Sequence, residues 1–145
     1  VGPEDGSTRI EKYVVVHDNG TTINPLLVDG QVQGATAQGI GGALMEEIVY
    51  DGEGQLLSGN LLDYLVPTAL DIPGFDLAHM ESPSPSTEGG FKGMGEGGVI
   101  GGLAAITNAV ADALAGTGAN VNCVPLRPSR ILKMLSVAKS RAGQA

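Results

Sequence analysis

The 145-residue sequence predicts an α+β domain of mixed sheet segments and two main helices. Two long stretches, about 27–47 and 97–115, repeat small or apolar residues at helical spacing. Short β-branched runs lie between turn residues. Strands and helices alternate without a regular strand–helix–strand rhythm, which favours α+β over a doubly wound sheet.

The first element is a strand within Arg9 to His17, where Tyr13-Val14-Val15-Val16 stands between the turn signals Asp5-Gly6 and Asp18-Asn19-Gly20. Val1, directly before Gly2-Pro3-Glu4-Asp5-Gly6, suggests the other arm of a hairpin. After Asn24-Pro25 comes the first helix, with Val32, Ala35, Gly39, Ala43 and Glu46 along one line and Gly34, Gln38, Gly41 and Met45 along another. Asp51-Gly52-Glu53-Gly54 has the chemistry of a short hairpin, and Leu61 to Val66 alternates loosely, so the middle of the chain reads as β-rich and irregular. An extended segment around Phe75 to Glu81 leads into Ser82-Pro83-Ser84-Pro85-Ser86, a loop or a flexible linker. The second helix carries Val99, Leu103, Ile106, Val110 and Leu114 on one stripe, with Gly116 placed to end it in a left-handed conformation. Pro128 opens a last short helix through Ile131, Leu132 and Leu135, and residues 138–145 are expected to fray.

Composition limits the function classes. A net charge of -8 argues against a phosphate-backbone partner, which draws its affinity from clustered Lys and Arg. No apolar run reads as a bilayer span and no secretion signal is evident, so the expected location is the cytoplasm. Cys123 stands alone, without a disulfide partner or the companions an iron–sulfur cluster needs. His17 and His79 lack metal-ligand spacing, so no metal ligand is assigned. The 23 glycines need a reason, because each one inside a helix costs about 0.8–1 kcal/mol relative to alanine.

Two glycine-rich places offer that reason. Around Gln38, the helix-surface neighbours Gly34, Ala35, Gly41 and Gly42 leave a bare patch on which a flat ligand or a second helix can lie. The amide both donates and accepts hydrogen bonds, which suits a pterin edge or a buried backbone. Around Glu96, the run Gly89-Gly90-Phe91-Lys92-Gly93-Met94-Gly95-Glu96-Gly97-Gly98 removes bulk from both sides of one carboxylate at the start of a helix. A general base needs that access. A carboxylate that only caps the helix or complements its dipole would satisfy the same pattern. Gly93-x-Gly95-x-x-Gly98 also matches the dinucleotide fingerprint, but a Pro- and Ser-rich stretch precedes it, and a glutamate in the turn would repel a pyrophosphate.

Three segments, VVHDNGTTINP at 15–25, GQVQGATAQGIGGALMEE at 30–47 and KGMGEGGVIGGLAAITNAV at 92–110, together resemble the molybdenum hydroxylases, the family of xanthine dehydrogenase, aldehyde oxidase and carbon monoxide dehydrogenase. The resemblance covers nearly the whole chain and is closest to the carbon monoxide dehydrogenase-like branch through 62–69 and 82–85. It implies that residues 1–145 are the C-terminal portion of a molybdopterin-binding large subunit, an assignment that the absence of an initial methionine favours. It further implies that Glu96 is the catalytic base beside molybdenum and that Gln38 lies against the pterin, with Lys92, Gly95 and Gly97 as neighbours of the cofactor. The implied reaction oxidises an aldehyde, an N-heterocycle or carbon monoxide with water as oxygen source. The implied cofactor is molybdenum-molybdopterin in its cytosine dinucleotide form. Iron–sulfur clusters and FAD are expected on partner chains or domains, within an oligomer that includes the remainder of the large subunit. The chain alone should be inactive. A competing expectation is a non-catalytic module that completes or oligomerises such a complex.

Overall fold

A computed structural model describes residues 1–143; Gln144 and Ala145, part of the stretch expected to fray, lie outside the described residues. The architecture is α+β. Strand β1 (Tyr13–Asp18), helix α1 (Pro25–Leu44), strand β2 (Phe75–Met80), helix α2 (Gly97–Leu114) and helix α3 (Pro128–Ala142) follow in order. The strands pair in parallel, from Tyr13 opposite Phe75 to Asp18 opposite Met80. The hairpin with Val1 therefore does not form. The two strands are joined through α1, as a parallel pair requires a crossover connection. Tyr13 meets Phe75 edge to face at 5.7 Å, which fixes the register at the start of the ladder.

Asn24 caps α1 by accepting the Leu27 amide at 3.2 Å, and Pro25 takes the first turn, where its missing N–H is no loss. The helix ends at Leu44, three residues before the expected boundary. There the amides of Met45 and Glu46 both donate to the Gly41 carbonyl, while Glu47 turns to Arg127 and Arg130 on the segment entering α3. The region expected to be β-rich is mostly turns. Tyr50 and Leu56 share one antiparallel bridge, and Asn60 closes a turn over 60–64 by accepting the Leu62 amide. Short-range side-chain bonds outcompete a strand there.

The inward line of α1, Val32, Ala35, Gly39 and Ala43, is buried. The buried stripe of α2 is Gly98, Gly102, Ile106, Val110 and Leu114. The two helices run side by side with the same polarity, Gly98 lying at Val32 and Thr36, Gly102 at Gly39 and Leu103 at Gly42. A Cβ added at Gly98 would come 2.8 Å from the Val32 carbonyl oxygen, and one at Gly102 would come 3.0 Å from the Gly39 Cα. Close approach of two backbones thus explains part of the glycine content of both helices. Below this crossing, Ile40, Ile106, Leu126, Ile131 and Leu135 form the main core, and the Leu126 amide donates to the Ala43 carbonyl at 2.7 Å.

Two further expectations change. The left-handed glycine after α2 is Gly118, with φ 74°, because a 3-10 turn over Ala115–Thr117 carries the chain past Gly116. The stretch Gly97–Thr117 is 21 residues long with mean hydropathy 1.5, long and apolar enough by composition to cross a bilayer, contrary to the reading that no run suffices. Its apolarity comes from two Val, two Ile, two Leu and six Ala, and its buried residues Ile106, Val110 and Leu114 face the core rather than a uniform surround.

Candidate functional site

The parallel pair points both strand ends, and the first turns of α1 and α2, to one end of the molecule, where ligands bind in open sheets of this polarity. Three loops meet there: 18–24 after β1, 81–91 after β2, and 92–96 before α2. Gly20 and Phe91 form an antiparallel bridge, the Thr21 and Ser84 amides donate to the Gly90 carbonyl at 3.2 and 2.9 Å, and the Lys92 amide donates to the Asn19 carbonyl at 3.0 Å. Gly20 has φ 66°, and a side chain there would overlap the Gly90 carbonyl. The loop read as a possible linker is therefore fastened at both ends.

Asp18 is the hub of this junction. Its Oδ1 accepts the Gly20 amide at 2.9 Å and the Ser82 amide at 3.1 Å, and its Oδ2 accepts Lys92 Nζ at 2.9 Å. The backbone N–H of Gly20, then the Lys92 ammonium and the Ser82 donors, hold its carboxyl well below the usual carboxylate range. Beside it, the Thr22 side chain and amide lower Glu81 in the same way. Sequence reading missed Asp18 as more than a turn residue. The Asp-Asn-Gly signal was correct for the bond to Gly20, but the bonds to Ser82 and Lys92 span 64 and 74 residues and leave no local trace.

Glu96 occupies the position before the first turn of α2. Its carbonyl accepts the Val99 amide at 3.1 Å, yet its side chain makes no cap hydrogen bond. The carboxylate is exposed, so the capping role that spacing alone allowed is not realised. Gly93 and Gly95 have nothing within 4 Å of where a Cβ would stand. Gly97 is the opposite case: a Cβ there would overlap Nε2 of His17, whose ring from the end of β1 packs under the first turn of α2. Nδ1 of that ring is buried without a hydrogen-bond partner. Sequence reading weighed His17 only as a metal ligand and gave no sign of its packing against Gly97.

Gln38 lies on the exposed side of α1, past the crossing that holds Thr36 and Gly39 against α2. Its bare patch is narrower than the spacing suggested. Gly34 is open, but Gly41 is filled by Glu46 and Pro67, and Gly42 lies against Leu103. Lys92 reaches Asp18 rather than Glu96. His17 and His79 are directly opposite in the ladder, and His79 Nε2 meets Asp29 Oδ1 at 2.6 Å. Among the described residues no cluster of three His, Cys, Asp or Glu side chains could hold a metal ion. Glu96, before α2, and Gln38, on the outer side of α1, are thus both exposed side chains, with open glycines at Gly93 and Gly95 and at Gly34 respectively.

A family model described as a molybdopterin cofactor-binding domain matches residues 1–73. The nicotine 6-hydroxylase large subunit of Paenarthrobacter nicotinovorans is 42% identical over 90% of this chain and 16% of its own length. The crystal structure of quinoline 2-oxidoreductase from Pseudomonas putida 86 matches 90% of this chain and 16% of that one, with 46% identity and a TM-score of 0.87. Carbon monoxide dehydrogenase from Oligotropha carboxidovorans matches 94% of this chain and 17% of that one, with 31% identity and a TM-score of 0.90. The chain spans about 16% of the length of these relatives.

Proposed function

Because the chain belongs to the molybdopterin cofactor-binding domain family of molybdenum hydroxylase large subunits, we propose that it supplies the base and part of the pterin wall of such an enzyme. The observation that carries this reading is Glu96: exposed, not used as a cap, and flanked by glycines whose missing side chains leave room for a ligand. The residues present fit a flat, polar, organic cofactor. Gly34 leaves the helix surface open beside Gln38, and the Gln38 amide offers both a donor and an acceptor.

The cofactor, when bound, supplies the two-electron oxidation that no side chain of this chain can perform. With the cofactor bound, Glu96 would accept the proton of the water that supplies the oxygen, while the two electrons leaving the substrate carbon, carried with its hydrogen for an aldehyde or N-heterocycle, would pass to the cofactor. The neighbouring N-terminus of α2 favours negative charge at that point. Gln38 orients the pterin, and Gly95 and Gly97 border it, while Lys92, which the family resemblance also set near the cofactor, is engaged with Asp18. The substrate class is a small molecule with an electrophilic carbon: an aldehyde, an N-heterocycle or carbon monoxide. The proposal extends to the cytosine dinucleotide form of the pterin, to iron–sulfur and FAD partners that remove the electrons, to residues 1–145 being the C-terminal portion of the large subunit, and to a cytoplasmic oligomer.

Metal analysis of the complete protein tests this. It should carry about one molybdenum per chain together with a pterin, and Gln38→Leu should lower that content without unfolding the protein. A folded complete protein free of molybdenum and pterin would contradict the reading.

A further inference from the structure

The carboxylate that touches most of the site does not face a ligand. Asp18 uses both oxygens internally, Oδ1 to the Gly20 and Ser82 amides and Oδ2 to Lys92 Nζ. Lys92 is four residues before Glu96, and the Gly93-Met94-Gly95 segment between them has no Cβ at two of its three positions. Such a segment has little stiffness of its own. Glu96 is held on its far side by α2, whose Val99 amide donates to its carbonyl, and on the near side the segment is fastened at Lys92, tied to the end of β1 through its amide, to the Asn19 carbonyl, and through its ammonium, to Asp18.

We propose that Asp18 is a positioning residue, acting through Lys92 to hold the flexible glycine segment so that Glu96 stands at a fixed place beside the first turn of α2. This rests on the reading of Glu96 as the base. It gives Lys92 a structural task distinct from contact with the cofactor. A charge-assisted bond at 2.9 Å with partly covered partners is the stronger sort of surface pair, and the two amides on Oδ1 hold the carboxylate in one rotamer while Oδ2 receives the lysine.

Asp18→Asn separates the two tasks. The Asn oxygen can still accept the Gly20 and Ser82 amides, but an NH₂ group then faces the Lys92 ammonium, donor against donor. In the complete enzyme, D18N and K92M should each lower kcat by about tenfold, since small misplacement of a catalytic group is costly. Molybdenum content and KM should stay within twofold of wild type. K92R, which keeps the pair, should remain near wild type, and D18N/K92M should be no slower than either single variant. In protein prepared without molybdenum, hydrogen–deuterium exchange of the peptide spanning 90–97 should speed up in D18N while the middle of α1 stays unchanged.

Wild-type kcat in D18N beside a lost kcat in E96Q would overturn the positioning role alone. Losses that multiply in the double variant, or loss of molybdenum in K92M, would overturn it in favour of a direct cofactor contact by Lys92. Full activity in E96Q would remove the reading of Glu96, and with it the group that Asp18 positions.

Discussion

Glu96→Gln in the complete enzyme is expected to keep its molybdenum and its thermal midpoint and to lose turnover by about 10²- to 10⁴-fold, the contribution of a positioned acid or base. Glutamine keeps the size and polarity of the side chain but cannot accept the proton. The fold gives it nothing else to disturb, because the Glu96 carboxylate is exposed and makes no cap bond to α2. A helix-end carboxylate acting only through the dipole would behave differently. Its neutralisation would cost about 0.3–1 kcal/mol of stability and leave kcat alone. Steady-state kinetics beside metal analysis separates the two, and substantial residual turnover would remove Glu96 from the chemistry.

Gly97→Ala should give the second large effect. The added methyl has no room while His17 keeps its place, since it would overlap the ring at Nε2. Either the ring leaves the space under α2 or the first turn of α2 lifts, and Glu96 moves with that turn. A displacement near 1 Å at a reacting group costs up to about 10²-fold, so kcat should fall by about 10- to 100-fold. Adding His17→Ala opens the space and should recover much of the loss. Gly101→Ala on the same helix is the control. It meets nothing within 4 Å, trades glycine for a better helix former, and should leave kcat unchanged. Equal activity of Gly97→Ala and Gly101→Ala would show that the His17 contact does not govern Glu96.

The parts of this molecule that were legible in the sequence are those with a local cause. The helix after Asn24-Pro25, the stripe from Ile106 to Leu114 and the start at Pro128 each depend on residues within one or two turns; the stripe and the start at Pro128 were placed correctly, and the first helix begins at Pro25, two residues before the expected start. The parallel pairing of β1 with β2 was not legible. It joins residues 62 apart, and an apolar residue near a turn, Val1, offered a nearer but wrong partner. Glycine was ambiguous for a physical reason: the same lack of a side chain permits helix contact at Gly39, Gly98 and Gly102 and leaves open space at Gly34, Gly93 and Gly95. Spacing cannot separate those uses, whereas the space around each Cβ position does. The candidate site was half legible in the same sense. Glu96 and Gln38 were singled out by the glycines around them and by the family resemblance, while Asp18 and His17 make contacts with residues far away in the chain.

Anomalous diffraction from molybdenum in crystals of the complete enzyme decides whether Glu96 stands beside the metal of a cofactor held mainly by the rest of a larger subunit. One strong peak per large subunit is expected, at the first turn of α2, with Glu96 the nearest carboxylate and Gln38 against the pterin density. A molybdenum peak remote from Glu96, with another carboxylate facing the metal, would contradict it.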